Sequence, residues 1–222
     1  PRSTLFPYTT LFRSNGRRTT QQLLDMIDSL LDVSRMEAGK LSADSEALDI
    51  TTIAQMQVDT LQGIAKRKKI NLILERNHPI EPIWGDRSMV RRILGNLIDN
   101  ALKFTPADGT VSVEITPTLP SDRLPNGCRT IISDTGAGVP NKDKERIFNR
   151  FEMVGGRGKS VRGTGIGLSF CKQAIETMGG KIWVEDNPSE EGGSQFVFTL
   201  PAVPIFEDEE ELRSAFNLPA RA

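Results

Sequence analysis

The segment Asn96-Leu97-Ile98-Asp99-Asn100-Ala101-Leu102-Lys103-Phe104-Thr105-Pro106 decides how the rest of the chain is read. Together with Ile93 and Leu94, the residues Leu97, Ile98, Ala101 and Leu102 recur at helical spacing and mark a core face. Asn96, Asn100 and Lys103 fall at i, i+4 and i+7 and form one polar stripe along the same helix. Two amides and an ammonium aligned beside a core face suit a magnesium-bound polyphosphate. A solvated helix edge carrying a satisfied amide pair accounts for the same pattern, so this helix alone leaves both readings open.

Working outward, the 222 residues are 37% apolar and 26% charged, which fits a folded globular chain with one mid-sized domain and a smaller element. The formal net charge of −1 gives no global pull toward nucleic acid or anionic lipid. No apolar run reaches the length of a membrane span, so a cytoplasmic location is expected, any anchor being left to upstream parts of a parent protein. Cys128 and Cys171 lack partners at metal-ligand spacing and read as buried thiols of a reducing compartment. The single histidine, His78, precedes Pro79 in a loop signal and has no catalytic context.

Residues 1–14 read as foreign. Thr4 to Ser14 matches, residue for residue, the translation of a widely used short-read sequencing adapter, and Pro7 breaks the apolar run that a signal peptide would need. The segment is therefore expected to be non-native and is set aside; on that expectation the natural chain is interrupted just before Asn15. Arg17 to Met36 then carries Leu23, Leu24, Ile27, Leu30, Leu31 and Val33 on a broad apolar stripe, opposite Asp25, Asp28, Ser29 and Asp32. Such a width calls for partners on more than one side, as in a helical hairpin or a dimeric four-helix bundle, and Gly39 supplies the stop. Self-association of this segment is the expectation.

Beyond a polar connection with strand character near Asp49, Thr51 or Thr52 is expected to cap a helix reaching about Lys68, with Ile53, Met56, Leu61 and Ile64 on its apolar face. The run Lys66-Arg67-Lys68-Lys69 fits favourable charge at a helix C-terminus better than a phosphate patch. Ile70 to Glu75 and Pro82 to Trp84 read as strands, and Asp86 as the N-cap of the helix quoted above. Strands are expected again at Thr110 to Thr116, Cys128 to Ser133, Lys181 to Glu185 and Gln195 to Leu200.

Three glycine clusters add chemistry. Asp134-Thr135-Gly136-Ala137-Gly138 follows a strand directly, where a carboxylate can accept a hydrogen bond from the exocyclic amine of adenine and would repel the guanine carbonyl. Gly155 to Gly163, with Arg157, Lys159 and Arg162, reads as a lid over a polyphosphate or as a plain surface loop. Gly163-Thr164-Gly165-Ile166-Gly167-Leu168 opens a helix running to about Met178, whose free N–H groups form an anion site. Between them, Arg146 to Phe151 reads as a short helix with two aromatics at core spacing.

Taken together, these motifs resemble the catalytic ATP-binding domain of bacterial sensor histidine kinases. NLIDNALKFTP is similar to that family's N box, DTGAGVP to the first glycine box, RIFNRF to the F box, GTGIGL to the second glycine box, and GGSQFVFTLP to a variant of the last. LLDMIDSLLDVSRMEAGKL resembles the second helix of the dimerisation and phosphoacceptor domain. The resemblance implies an α+β fold: a two-layer α/β sandwich of the Bergerat type, a mixed sheet with helices on one face, preceded by one long amphipathic helix. It divides the chain into the truncated dimerisation helix at 15–40, the ATP-binding domain at 41–203 and an acidic tail or linker at 204–222.

By the same resemblance, Asn100 coordinates Mg²⁺ with Asn96 in support, Lys103 contacts phosphate, and Asp134 reads adenine. Gly136, Gly138, Gly163, Thr164, Gly165, Gly167 and Leu168 cradle the nucleotide, and Phe148 and Phe151 belong to the F box beside it. The implied cofactors are ATP and Mg²⁺. The implied partners are a histidine-bearing dimerisation domain, a response regulator receiver domain and, in the full-length parent, a second copy of the chain. Two departures stand out: Glu191 replaces the first glycine of the last box, and the phosphoacceptor histidine with its acidic neighbour is missing. This chain is thus expected to bind ATP without phosphorylating itself. Two other readings stay open. One is a related ATPase like those of DNA gyrase or the heat-shock chaperones, which resemble this module but use a glutamate base where Asn96 stands. The other is a non-phosphorylating ATP-binding or dimerisation module.

Overall fold

The computed structural model describes residues 42–76, 79–122, 124, 127–152 and 165–204. The amphipathic segment 17–36, His78, the glycine-rich segment 155–163, Gly163 and Thr164 themselves, and the acidic run 207–211 lie outside the described residues. In chain order the elements are β1 (Glu46–Leu48), α1 (Ile50–Lys68), β2 (Asn71–Glu75), β3 (Ile83–Gly85), α2 (Arg87–Phe104), β4 (Thr110–Pro117), β5 (Cys128–Asp134), α3 (Gly167–Thr177), β6 (Lys181–Asp186) and β7 (Ser194–Leu200).

Five strands form one sheet in the order β2-β4-β5-β7-β6. β2 pairs parallel with β4, and the remaining pairs are antiparallel, so the sheet is mixed. Strand alternation decides which face takes the helices. Leu72, Val111, Val113, Ile132, Phe196 and Phe198 lie on the inner face and are buried in one core with α1, α2 and α3. Ser112, Glu114 and Ser133 point the other way. On that outer face Arg129 lies over the Trp183 ring at 5.2 Å and pairs with Asp122 at 2.8 Å.

α2 is the spine of the core. Met89, Val90, Ile93, Leu94, Leu97, Ile98, Ala101 and Leu102 are all buried, each large side chain contributing roughly 1.5–3 kcal/mol of burial. Asp86 caps it as expected, accepting from Ser88 N and Met89 N at 2.8 and 3.0 Å. Burial works against the Asp86 carboxylate, yet its hydrogen bonds from Met89, Ser88 and Asp44 hold its pKa below the usual range.

Three local expectations are corrected. The N-cap of α1 is Asp49, not Thr51 or Thr52: its Oδ1 accepts from both threonine N–H groups, at 2.9 and 3.2 Å. A carboxylate one residue outside the helix reaches these N–H groups, whereas the threonines are already helical. Met56 is 58% exposed; the buried stripe of α1 runs through Ile50, Ile53, Ala54, Val58 and Ala65. The segment at Arg146 is also shorter than expected, a single 3-10 turn at Arg146–Phe148.

Candidate functional site

The polar stripe of α2 runs between the start of α3 and the end of β5. Asn96 donates from Nδ2 to the carbonyl oxygen of Gly167 at 3.5 Å, which sets the stripe against the N-terminus of α3. Ile166, the residue before that helix, gives its first N–H groups no side-chain cap, and a terminus of this kind suits an anion. Arg92, stacked 3.9 Å above the Phe170 ring, fastens the same two helices one turn away from Asn96. Asn100 and Lys103 follow along the stripe, both half-buried. Burial pushes the Lys103 ammonium pKa down, the nearby Lys68 adds to this, and Asp99 opposes it.

At the far end of α2, the helix meets the first glycine loop. A Cβ on Gly136 would stand 2.8 Å from the Phe104 carbonyl oxygen and 2.7 Å from Asp134 Oδ1. The glycine is what lets the loop, the helix end and the carboxylate come together. Gly136 N donates to Asp134 Oδ1 at 2.8 Å. Asp134 is only 4% exposed, and burial raises its pKa against the opposing hydrogen bonds from Gly136 and Ser194. A buried carboxylate held by the Gly136 N–H is a fixed, strong acceptor.

The remaining predicted residues fall as follows. Gly138 has a φ of 73° and packs toward Gly193, where a Cβ would lie 3.3 Å from the Gly193 carbonyl oxygen. Gly165, at φ 66°, accepts a hydrogen bond from Phe151 N at 3.0 Å. Leu168 packs against the core. Phe148 is buried and meets the Phe196 ring edge-on, with centroids 6.3 Å apart, which gives it a packing role. Phe151 is 61% exposed and adopts a φ of 61°.

Sequence reading missed three contributors. Phe104, beside Lys103 with the ammonium 5.3 Å from its ring centroid, leaves an aromatic half exposed at the mouth of the site. Asn187 and Gly193, in the β6–β7 turn, hold the backbone of Asp134. Phe104 was legible as an apolar residue off the core stripe; the turn contacts join residues too distant in sequence for any local pattern to reveal. Cys128 and Cys171 are buried thiols as expected, with burial pushing both pKa values up to about 12. Among the described residues, no helix is long and apolar enough to cross a membrane.

A mixed sheet with its helices on one face, a polar helix stripe, an adenine-compatible carboxylate and glycine turns define an ATP-binding module. The chain belongs to the histidine kinase-, DNA gyrase B- and HSP90-like ATPase family, whose model matches residues 85–204. It is 36% identical to the hybrid signal transduction protein dokA of Dictyostelium discoideum over 83% of this chain and 11% of that protein. It is 33% identical to the circadian input-output histidine kinase CikA of Synechococcus elongatus, over 90% of this chain and 26% of the kinase. With the adaptive-response sensory kinase SasA of Rippkaea orientalis it shares 34% identity, over 84% of this chain and 46% of the kinase. The chain thus spans less than half the length of each of these relatives. Among solved structures it resembles full-length ShkA in complex with AMPPNP, with a TM-score of 0.71 and 25% identity over 91% of this chain and 42% of that one. It also resembles the mycobacterial sensor histidine kinase MprB, at TM-score 0.56 and 26% identity, covering 72% of this chain and 99% of that one.

Proposed function

We propose that this chain is the ATP-binding catalytic part of a sensor histidine kinase, which delivers the γ-phosphoryl group of ATP to a histidine on a dimerisation domain. In this reading Asp134 accepts a hydrogen bond from the adenine amine, and Lys103 lies along the phosphates. The observation that carries it is the continuity of the α2 stripe, from the Asn96–Gly167 contact at one end to the Phe104–Gly136–Asp134 contact at the other. That line has an adenine acceptor at one end and an uncapped helix N-terminus at the other, with an ammonium between.

The residues fit Mg²⁺ held mainly by ligand oxygens. Among the described residues no group of three or more His, Cys, Asp or Glu could hold a metal, whereas the Asn100 amide offers one hard oxygen donor. Mg²⁺ bound there would offset polyphosphate charge. Asn96, which with Arg92 ties α2 to α3, keeps that segment of the stripe in place, and its amide is a poor general base. This favours transfer to an acceptor over hydrolysis by a gyrase-like ATPase. Gly136, Gly138, Gly163, Thr164, Gly165, Gly167 and Leu168 would line the nucleotide, with Phe148 and Phe151 supporting the wall from the F box.

The domain reading extends the same proposal: 15–40 as the second helix of a dimerisation and phosphoacceptor domain, 41–203 as the ATP-binding domain and 204–222 as a tail or linker. The parent would be a cytoplasmic or membrane-anchored homodimer that passes its phosphoryl group to a receiver-domain aspartate. The test supplies a separate dimerisation domain bearing its histidine and follows radiolabel from ATP. Label on that histidine is the expected result. ATP binding without transfer would instead favour a non-phosphorylating binding module.

A further inference from the structure

We infer that Asn187, in the turn between β6 and β7, is a positioning residue that sets the adenine-reading geometry of Asp134; the inference rests on the nucleotide reading of Asp134 above. Asn187 Nδ2 donates to the Asp134 carbonyl oxygen at 2.9 Å, across a sequence separation of 53 residues. The same residue is fixed at its other atoms. Its N–H donates to the Gly193 carbonyl oxygen at 3.1 Å, and its Oδ1 accepts from Ser189 N at 3.1 Å. The side chain is therefore half-buried and held in one orientation, with its amide aimed at the last peptide of β5.

The turn that carries Asn187 is pressed directly onto that peptide. Gly193, at φ 108°, lies so near that a Cβ would stand 1.9 Å from the Asp134 carbonyl oxygen. Ser194, the next residue, places its backbone N–H near the Asp134 carboxylate, where it works against the effect of burial. A second tie closes the turn from the other side, where Lys144 Nζ meets Asp186 Oδ1 at 2.8 Å. The main chain of Asp134 is thus held at its carbonyl by Asn187, while its carboxylate is held by the N–H of Gly136. Loss of the Asn187 donor frees the 134–135 peptide to tilt. The carboxylate then no longer points where the Gly136 N–H places it. Because this peptide lies at the base end of the site, the consequence falls on base recognition and not on the phosphates.

The test compares affinities of the whole chain for ATP and for inorganic tripolyphosphate, both with magnesium, in wild type, Asn187→Asp, Asp134→Ala and the double variant. Asn187→Asp keeps the size but faces the Asp134 carbonyl with an acceptor. Its expected effect is a loss of about tenfold in ATP affinity, the scale of one buried hydrogen bond left unmade. Tripolyphosphate affinity is expected to stay unchanged, and in the Asp134→Ala background the Asn187 change is expected to add nothing. Equal losses for both ligands, or an unchanged ATP affinity, overturn the positioning role while leaving the Asp134 reading intact. A wild type without preference for ATP over tripolyphosphate, or an Asp134→Ala variant that keeps it, overturns the Asp134 reading itself. Thermal melts accompany each variant, and Asn187→Ala takes the place of the aspartate if that one unfolds.

Discussion

Lys68 at the end of α1 donates from Nζ to the carbonyl oxygen of Leu102, 2.8 Å away in the last turn of α2. The basic run at 66–69 therefore serves partly to satisfy the C-terminus of a neighbouring helix. Lys68→Met is expected to cost about 1 kcal/mol. For a chain of this length that lowers the thermal midpoint by about 2–4 °C, measurable by circular dichroism.

Lys103 should make nucleotide binding fall away early on the alkaline side. Its folded pKa lies below the ordinary value of 10.5, chiefly through burial. An anionic ligand favours the charged form, so affinity is full below the depressed pKa and declines as pH rises through it. Stability of the ligand-free chain responds with the opposite sign: over that window the unfolded state holds more protons, so stability rises with pH. Lys103→Met should flatten both profiles, read by binding titrations and melts across alkaline pH.

Asn100→Asp places a negative charge where the proposed site needs an oxygen ligand and little added charge. The expected outcome is a loss of about tenfold or more in magnesium-dependent ATP affinity. Calorimetry with and without Mg²⁺ reads it directly, and an unchanged affinity removes Asn100 from the site.

Asp134→Asn should separate stability from binding. Burial raises the Asp134 pKa above 3.8, so the ionised carboxylate costs stability that is regained as the group protonates. The variant should melt higher than wild type at neutral pH, with the gain disappearing once pH falls below 3.8. ATP affinity should drop at the same time, by the scale of a charge-assisted hydrogen bond, about 1.5–3 kcal/mol. Paired melts and titrations over pH 3–8 check both halves.

Adjacent glycines make a matched stability test. Gly192 has a φ of 73° with open space around its missing Cβ, so Gly192→Ala should cost only the left-handed backbone penalty, about 1–2 kcal/mol. Gly193→Ala adds a collision with the Asp134 carbonyl and should cost about 2–5 kcal/mol. Urea unfolding of the two variants provides the comparison.

Local physics along the chain determined much of this protein. The period of Ile93, Leu94, Leu97, Ile98, Ala101 and Leu102 determined a buried helix, and the same period aligned Asn96, Asn100 and Lys103. Strand alternation at Val111, Val113 and Ile115 determined which side of β4 faces the core. Asp86 announced a helix start because a cap works within three residues. The tertiary structure alone decided that Met56 faces solvent, since a helical stripe does not say how wide its partner surface is. It also decided that Phe148 spends its ring on Phe196, and that Asn187 and Gly193 close on Asp134. Those contacts depend on where the sheet ends bring distant turns together, and no periodicity within one segment carries that information.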